Sequence, residues 1–509
     1  MKRKFILASI IIFFLLTRII KIVEIPPSVY WDEASIGYNA YSILKTGKDE
    51  WGEFLPLHFR AFGEFKLPAY IYTVVIFGTI LGFNELAVRL PAVLYSLLSV
   101  VFFYLLIKRL FAREDLSIVS VLVLITSPWF LLFSRVGYEA SAGLAFFLAS
   151  LYFFAKGSSS LIYGLLFLIL SFYSYNSFRI ISLIMLPIIF VYAFFLVKKE
   201  NWFKKLRLLL PMLFVVIVSL LPVLKLYYMD SGLVRLSDVG ITKDATLLTV
   251  LALFLKNFLL HLDPKFLFLN GDSNLRSHIG TGGELLLVSA PFLAVGFFNL
   301  FKKFNLNSFI VLSLLVVSLI PASITKESPH ALRAIGALPF FSLIIALGIL
   351  KTIDFFKKKA SAYIFLFALF LISFLFNFYF FINTYPKNSS LQWQYPYKIL
   401  FTKYQPLFDL YDKVIITDKY AQPYIFALFY LRFDPESFRQ NVEYNSYDKW
   451  GFSTVGRFNK YIFTSDISGK VNEVGDEKVL IISDREINTK KLPNTVNLLN
   501  NKPSLFIYE

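Results

Sequence analysis

Long apolar runs, each close to the roughly 20 residues that a helix needs to cross a bilayer, recur along most of the chain with short polar segments between them. The first, "MKRKFILASIIIFFLLTRIIKIV", has a basic head and no small-residue cleavage signature after it, so it predicts a retained span. Further spans are predicted over 91–110, 116–134, 138–155, 160–176, 179–197, 208–226, 284–301, 307–324, 331–350 and 360–382. After about residue 384 the apolar runs shorten and turn residues separate them. "DKVIITD" (412–418), "NKYIFTS" (459–465), "EKVLIISD" (477–484) and "SLFIYE" (504–509) predict short buried strands, and "QPYIFALFYLRF" (422–433) predicts a helix opened by proline. The chain therefore divides into a membrane domain over 1–383 and a small α/β domain over 384–509.

Composition agrees: 57% of residues are hydrophobic and only 17% charged, which excludes an ordinary soluble protein. The net charge of +17 raises nucleic acid as a partner, but the lysines and arginines sit in clusters between apolar runs, where the positive-inside rule accounts for them, and no nucleic acid is expected. With no cysteine, disulfides, thiolate metal sites and cysteine nucleophiles are excluded. One apolar run, 69–83, is ambiguous, and charge arbitrates. If it does not cross, "KRLFAR" (108–113), Lys156, "KKENWFKKLR" (198–207), Lys302, Lys303, Lys351 and "KKK" (357–359) share the cytoplasmic side with "MKRK"; if it crosses, all later clusters move outside. The expectation is about eleven transmembrane helices, with 69–83 in or on the outer membrane face. The external loops are then 24–90 and 227–283, the N-terminus is cytoplasmic, and the C-terminal domain is extracytoplasmic at a plasma membrane, taken as bacterial.

That topology gathers unusual polar segments on the outer face: "WDEAS" (31–35), "RAFGEFKLPAY" (60–70), "SRVGYEAS" (134–141), "SYNSFR" (174–179), "NGDSNLRSH" (270–278) and "KESPHALR" (326–333). Singly, such residues also anchor or snorkel; six on one side indicate a working face. Asp32 and Glu33 are the candidate catalytic residues, because a carboxylate at the mouth of a membrane cavity can serve as general base or bind a cation. Adjacent residues diverge on a helix or a strand, so the two do not act as twins on one atom: one does chemistry and the other holds the loop. Lys66, Arg135, Arg179, Arg276 and Arg333 suit an anionic leaving group, arginine forks favouring phosphate. Base, cations and a membrane groove together indicate a lipid-phosphate substrate.

The chain resembles the membrane glycosyltransferases of the GT-C fold, in the protein mannosyltransferase and aminoarabinose transferase group of family 39. The resemblance rests on "WDEASIGYNAYSILKTGKDEWG", "FKLPAYIY", "NELAVRLPAVLYSLLSVVFFYLLIKRLF", "LLFSRVGYEAS", "YSYNSFR" and "SPHALRAIGALP", which follow in order through most of residues 5–350. It implies inverting transfer of a sugar from a polyprenyl-phosphate donor to a hydroxyl of a protein, lipid or wall-glycan acceptor, with Asp32 as the base. By the same resemblance Lys66, Arg135, Arg333 and Arg179 would bind the donor phosphate, and Glu64, Tyr138, Glu139, Asn176, Arg276 and His330 would line the cavity. The aminoarabinose branch places a glutamate directly before its lysine; here Phe65 stands there and Glu64 is displaced by one, which weakens a metal-assisted mechanism. No cofactor is fixed; a divalent metal stays open, with Asp32 and Glu64 its ligands if one binds. Two other classes compete. A lipid or sugar transporter would show an internal repeat, which is absent here. A ligase or polymerase using diphosphate-linked glycans would share the architecture. The C-terminal domain has no glycine-rich phosphate loop, so nucleotide binding is not expected there.

Overall fold

A computed structural model describes residues 2–62, 64–157, 160–196, 202–228, 240–241, 246–445, 454–474, 477–487 and 492–509. The fold has two compact units, and neither is continuous in sequence: residues 1–20 with 92–381, and residues 21–91 with 382–509.

The first unit is helical. Among the described residues, five helices are long and apolar enough to cross a membrane: Glu85–Phe111, Leu247–Leu269, Leu306–Ser323, Ile335–Ile353 and Lys359–Asn383. Shorter apolar helices stand where the other spans were expected, among them Ala140–Lys156, Leu161–Phe172 and Asn176–Leu196. The run 116–134 is broken in two, Glu114–Thr126 and Pro128–Phe133, because Pro128 pushes Ser127 into an extended conformation. Leu338–Ile353 is buried on every side, as expected for a helix that is apolar all round. It packs closely on Ala290–Lys302 through two glycines: a Cβ on Gly348 would stand 1.9 Å from the Phe292 carbonyl oxygen, and one on Gly296 2.0 Å from that of Ile344.

One expectation fails in this unit. The stretch 227–283 is not simply a loop: within it Leu247–Leu260 is helical and continues through a π-type turn, Lys265–Leu269. Lys256, Asn257, His261 and Pro264 interrupt its apolar pattern and gave it the look of a loop. Residues 229–239 and 242–245 of that stretch, and 197–201 of the basic cluster before it, lie outside the described residues.

The second unit joins the first loop to the C-terminal domain. Among the described residues, seven strands form one sheet with the order β4-β5-β6-β3-β7-β9-β8, where β3 is Lys413–Thr417, β4 Glu443–Tyr444, β5 Val455–Phe458, β6 Tyr461–Thr464, β7 Val479–Ser483, β8 Asn494–Asn497 and β9 Pro503–Tyr508. Strand β3 runs parallel to both β6 and β7, and its Val414, Ile415 and Ile416 are wholly buried, as a central parallel strand requires. The four expected strands are β3, β6, β7 and β9, and the expected helix is Pro423–Leu431. Helix Trp31–Thr46 packs against Pro423–Leu431 with Gly37 facing the Phe429 ring, where a Cβ would lie 2.3 Å from Cε2. A hairpin of β1 (Phe59–Ala61) and β2 (Glu64–Lys66) leads into Pro68–Leu81, the helix formed by the ambiguous run 69–83. The loop over 24–90, grouped with the spans by its place in the sequence, thus folds with residues 382–509, because its first helix presents small and polar residues to the C-terminal domain.

Candidate active site

Asp32 stands in the first turn of Trp31–Thr46, where the positive end of the helix dipole favours a carboxylate. Both of its oxygens are engaged: the Lys66 ammonium contacts Oδ1, and the Tyr30 hydroxyl donates to Oδ2. Lys66 is at the end of β2, held there by the register that pairs it with Phe59, and its side chain is only 2% exposed against 19% for Asp32. The base candidate is thus the more exposed of the two. Tyr30 is edge-on to the buried Trp393, and Trp31 stands beside Phe62, so aromatic surface surrounds the acid.

Glu33 does something else. It is fully buried and accepts two hydrogen bonds from Arg89, from Nε at 3.1 Å and from a terminal nitrogen at 3.2 Å. The rest of the Arg89 guanidinium donates to the carbonyls of Ile22, Pro26 and Ser28. A fork-to-fork buried pair occupies its carboxylate, an arrangement that suits the loop-holding part expected of one of the two acids. Lys398 extends the arrangement, donating to Glu85 at 2.8 Å and to the Pro27 carbonyl at 3.2 Å. Glu85 and Arg89, one helical turn apart within the quoted "NELAVRLP", were legible as a pair but were not singled out.

A second acid was missed as well. Glu50 is 1% exposed and hydrogen-bonded by Asn39, by the Trp51 indole at 3.0 Å and, at 3.5 Å, by the Tyr424 hydroxyl. Burial, with Asp49 beside it, pushes its carboxyl up to about 8. Burial likewise pushes Asp49 up to about 6. Asn39 shares a helix face with Asp32 about 10 Å further along, so this network borders the same face.

The remaining expected residues belong to the first unit. Arg135 is wholly buried and donates to the carbonyls of Thr17, Arg18 and Ile20, the end of the first helix. The guanidinium of this expected phosphate ligand closes orphan carbonyls of a helix terminus. Arg333 donates to Thr325 at 3.1 Å and to Glu327 at 3.3 Å. His330 lies 3.9 Å from Asp272, whose carboxylate accepts from the Ala331 backbone and which burial raises above the usual carboxylate range. Tyr138 lines a small cavity with Ser96, Phe133 and Leu144, and its hydroxyl donates to the Arg276 carbonyl. The Arg276 side chain reaches Asn274. Arg179 covers the face of Phe172 near the start of Asn176–Leu196, a helix that Asn176 opens, and Glu139 stands at the N-cap of Ala140–Lys156. The structure thus brings Asp32, Glu33 and Lys66 together in one unit; Arg135, Arg179, Arg276, Arg333, His330, Tyr138, Glu139 and Asn176 are in the other.

A cation at Asp32 would have to compete with the Lys66 ammonium on one oxygen and the Tyr30 hydroxyl on the other. The Glu64 side chain, the other expected ligand, lies outside the described residues. Among the described residues no three histidines or carboxylates are grouped as a metal would need.

The architecture matches ArnT of Cupriavidus metallidurans bound to undecaprenyl phosphate, with a TM-score of 0.55 over 99% of this chain and 97% of that one at 11% identity. Apo ArnT from the same organism matches with a TM-score of 0.56, over 100% and 98% of the two chains, also at 11% identity. The chain has the GT-C glycosyltransferase fold. Residues 66–226 also match the family described as dolichyl-phosphate-mannose-protein mannosyltransferase. The resemblance read from the motifs agrees with both findings. A GT-C chain of this helical make-up is a multi-pass membrane protein. The oligosaccharyltransferase of Archaeoglobus fulgidus is a weaker match, with a TM-score of 0.47 over 84% of this chain and 61% of that one at 13% identity. No curated relative matches the sequence.

Proposed function

We propose that the protein transfers a sugar, with inversion, from a polyprenyl-phosphate donor to a hydroxyl acceptor at the outer face of the plasma membrane. The observation that carries this reading is the contact between Asp32 and Lys66, which sets a partly accessible carboxylate against a buried ammonium. The matched family is described by a dolichyl-phosphate sugar and the ArnT structure holds undecaprenyl phosphate, and both are polyprenyl phosphates.

The chemistry is a single displacement. Asp32 accepts the proton of the acceptor hydroxyl, the acceptor oxygen bonds to the anomeric carbon, and the bond from that carbon to the phosphate oxygen breaks on the opposite side. The electron pair leaves on the phosphate, and Lys66 balances the charge that develops there. Glu33, held by Arg89, fixes the turn that carries Asp32 and takes no proton. The acceptor is a protein, a lipid or a wall glycan.

The purified protein in liposomes, offered radiolabelled polyprenyl-phosphate sugars and, separately, diphosphate-linked glycans, tests the reading. Transfer from the monophosphate donors, lost in Lys66→Met, supports it. Transfer from the diphosphate-linked glycans alone makes the protein a ligase, and label carried across the bilayer without bond cleavage makes it a transporter.

A further inference from the structure

Helix Trp31–Thr46 has an unusual start. Its N-cap residue, Tyr30, makes no side-chain cap; instead the Trp31 backbone N–H donates to the side-chain oxygen of Gln394, 3.0 Å away and distant in sequence. The other end of the same amide donates to the carbonyls of Tyr420, at 2.5 Å, and Ala421, at 2.9 Å. Gln394 is 4% exposed, so this one side chain spends its acceptor and both donor contacts inside the second unit.

The two ends of that bridge matter. Tyr420 and Ala421 lie just beyond the carboxyl end of β3, the central strand, flanked by β6 on one side and β7 on the other. Trp31 immediately precedes the candidate base. Next to Gln394, Trp393 is wholly buried and meets the Tyr30 ring edge-on at 5.6 Å, and the Tyr30 hydroxyl in turn donates to Asp32. Consecutive residues, 393 and 394, therefore hold consecutive residues, 30 and 31, directly ahead of Asp32. Gln394, Ala421 and Gln422 all adopt left-handed backbone conformations, with φ of 51°, 61° and 51°, which side chains other than glycine adopt at a cost. Gln394 and Ala421 meet at one hydrogen-bonded node with Gln422 next in sequence, a geometry that the surrounding fold enforces.

We infer that Gln394 is a positioning residue: it caps the helix that carries Asp32 and ties it to the loop after β3, so that the C-terminal domain sets the orientation of the base. The inference rests on Asp32 being the base of the proposed transfer. It gives that domain a part in the reaction that needs no contact with substrate.

The test compares the full-length protein with Gln394→Ala, Gln394→Glu and Asp32→Asn, in the donor-transfer assay and by thermal melting in detergent. Gln394→Ala removes the cap and should lower kcat by about ten- to a hundredfold, the scale on which small misplacements of a catalytic group act, with the donor KM within about twofold of native. Gln394→Glu is the sharper variant. As the acid it accepts from Trp31 and still donates to one carbonyl; as the carboxylate it faces two carbonyl oxygens and repels them. Its activity should therefore be near native at low pH and fall as pH rises, a descending limb that the native profile lacks, and fall further than the folded fraction measured at each pH. A Gln394→Glu profile superimposable on the native one, or losses that simply follow the folded fraction, overturns the inference. If Asp32→Asn keeps native transfer, the base role on which the inference rests fails; if only the Gln394 variants behave as native, the positioning role alone does.

Discussion

At the scale of single residues, Lys66 is the side chain whose loss should read most directly on the donor. A hydrogen bond to a charged group is worth about 1.5–3 kcal/mol, so Lys66→Met should lower kcat/KM for the donor roughly ten- to a hundredfold, measured by initial rates across donor concentration. Lys66→Arg should recover only part of this, because the site around a side chain 2% exposed suits a compact ammonium better than a planar fork. Glu50 makes a different prediction. Its folded carboxyl titrates near 8, above the ordinary glutamate range near 4.5. Between those values the unfolded chain has lost the proton that the folded chain keeps, so stability falls as pH rises through that window and is level on either side. Glu50→Gln should flatten most of that decline, raising the melting temperature at pH 8 and changing it little at pH 4. Asp49, near 6, should leave a smaller decline between about pH 4 and 6. Melting curves across pH check both.

Among helices and loops, the buried cations act mainly on backbone carbonyls. Arg89 and Lys398 hold the segment from Ile22 to Ser28 that leads into the Asp32 helix, and Arg135 closes the end of Lys2–Ile19. Removing one partner of a buried ion pair costs about 3–5 kcal/mol, so Arg89→Met, which strands Glu33, should lower the melting temperature markedly. Arg135→Met should also destabilise the protein, by on the order of 3 kcal/mol, while the donor KM of the folded fraction stays native. A raised donor KM there would return Arg135 to the phosphate site. The sequence made some of this legible and hid the rest for a physical reason. Continuous apolar runs marked β3, β6, β7 and β9, whereas β4, with only two residues, both exposed, and β8, with Val496 its one buried position, give no such pattern. "WDE" and "FKLP" pointed to Asp32 and Lys66, but no local pattern says which acid faces Arg89. Likewise, the bond from Gln394 to Trp31 spans most of the chain.

For the whole molecule, the division into two units puts the candidate base and Lys66 on the same folded body as the C-terminal sheet. Grouping by sequence position had assigned the first loop to the membrane domain, and only long-range contacts such as Gly37 with Phe429 and Glu50 with Tyr424 reassign it. The apolar runs marked a membrane domain and the resemblance of the motifs carried the GT-C fold; the partnership of residues 21–91 with 382–509 was visible in neither. The central claim is that Asp32 takes the acceptor proton, and a direct comparison of native protein with Asp32→Asn tests it, using the polyprenyl-phosphate sugar that the native protein turns over. Because general-base catalysis contributes about 10²- to 10⁴-fold, transfer should fall by that factor while donor binding, measured separately, stays within a few fold. Transfer at the native rate by Asp32→Asn would contradict the account.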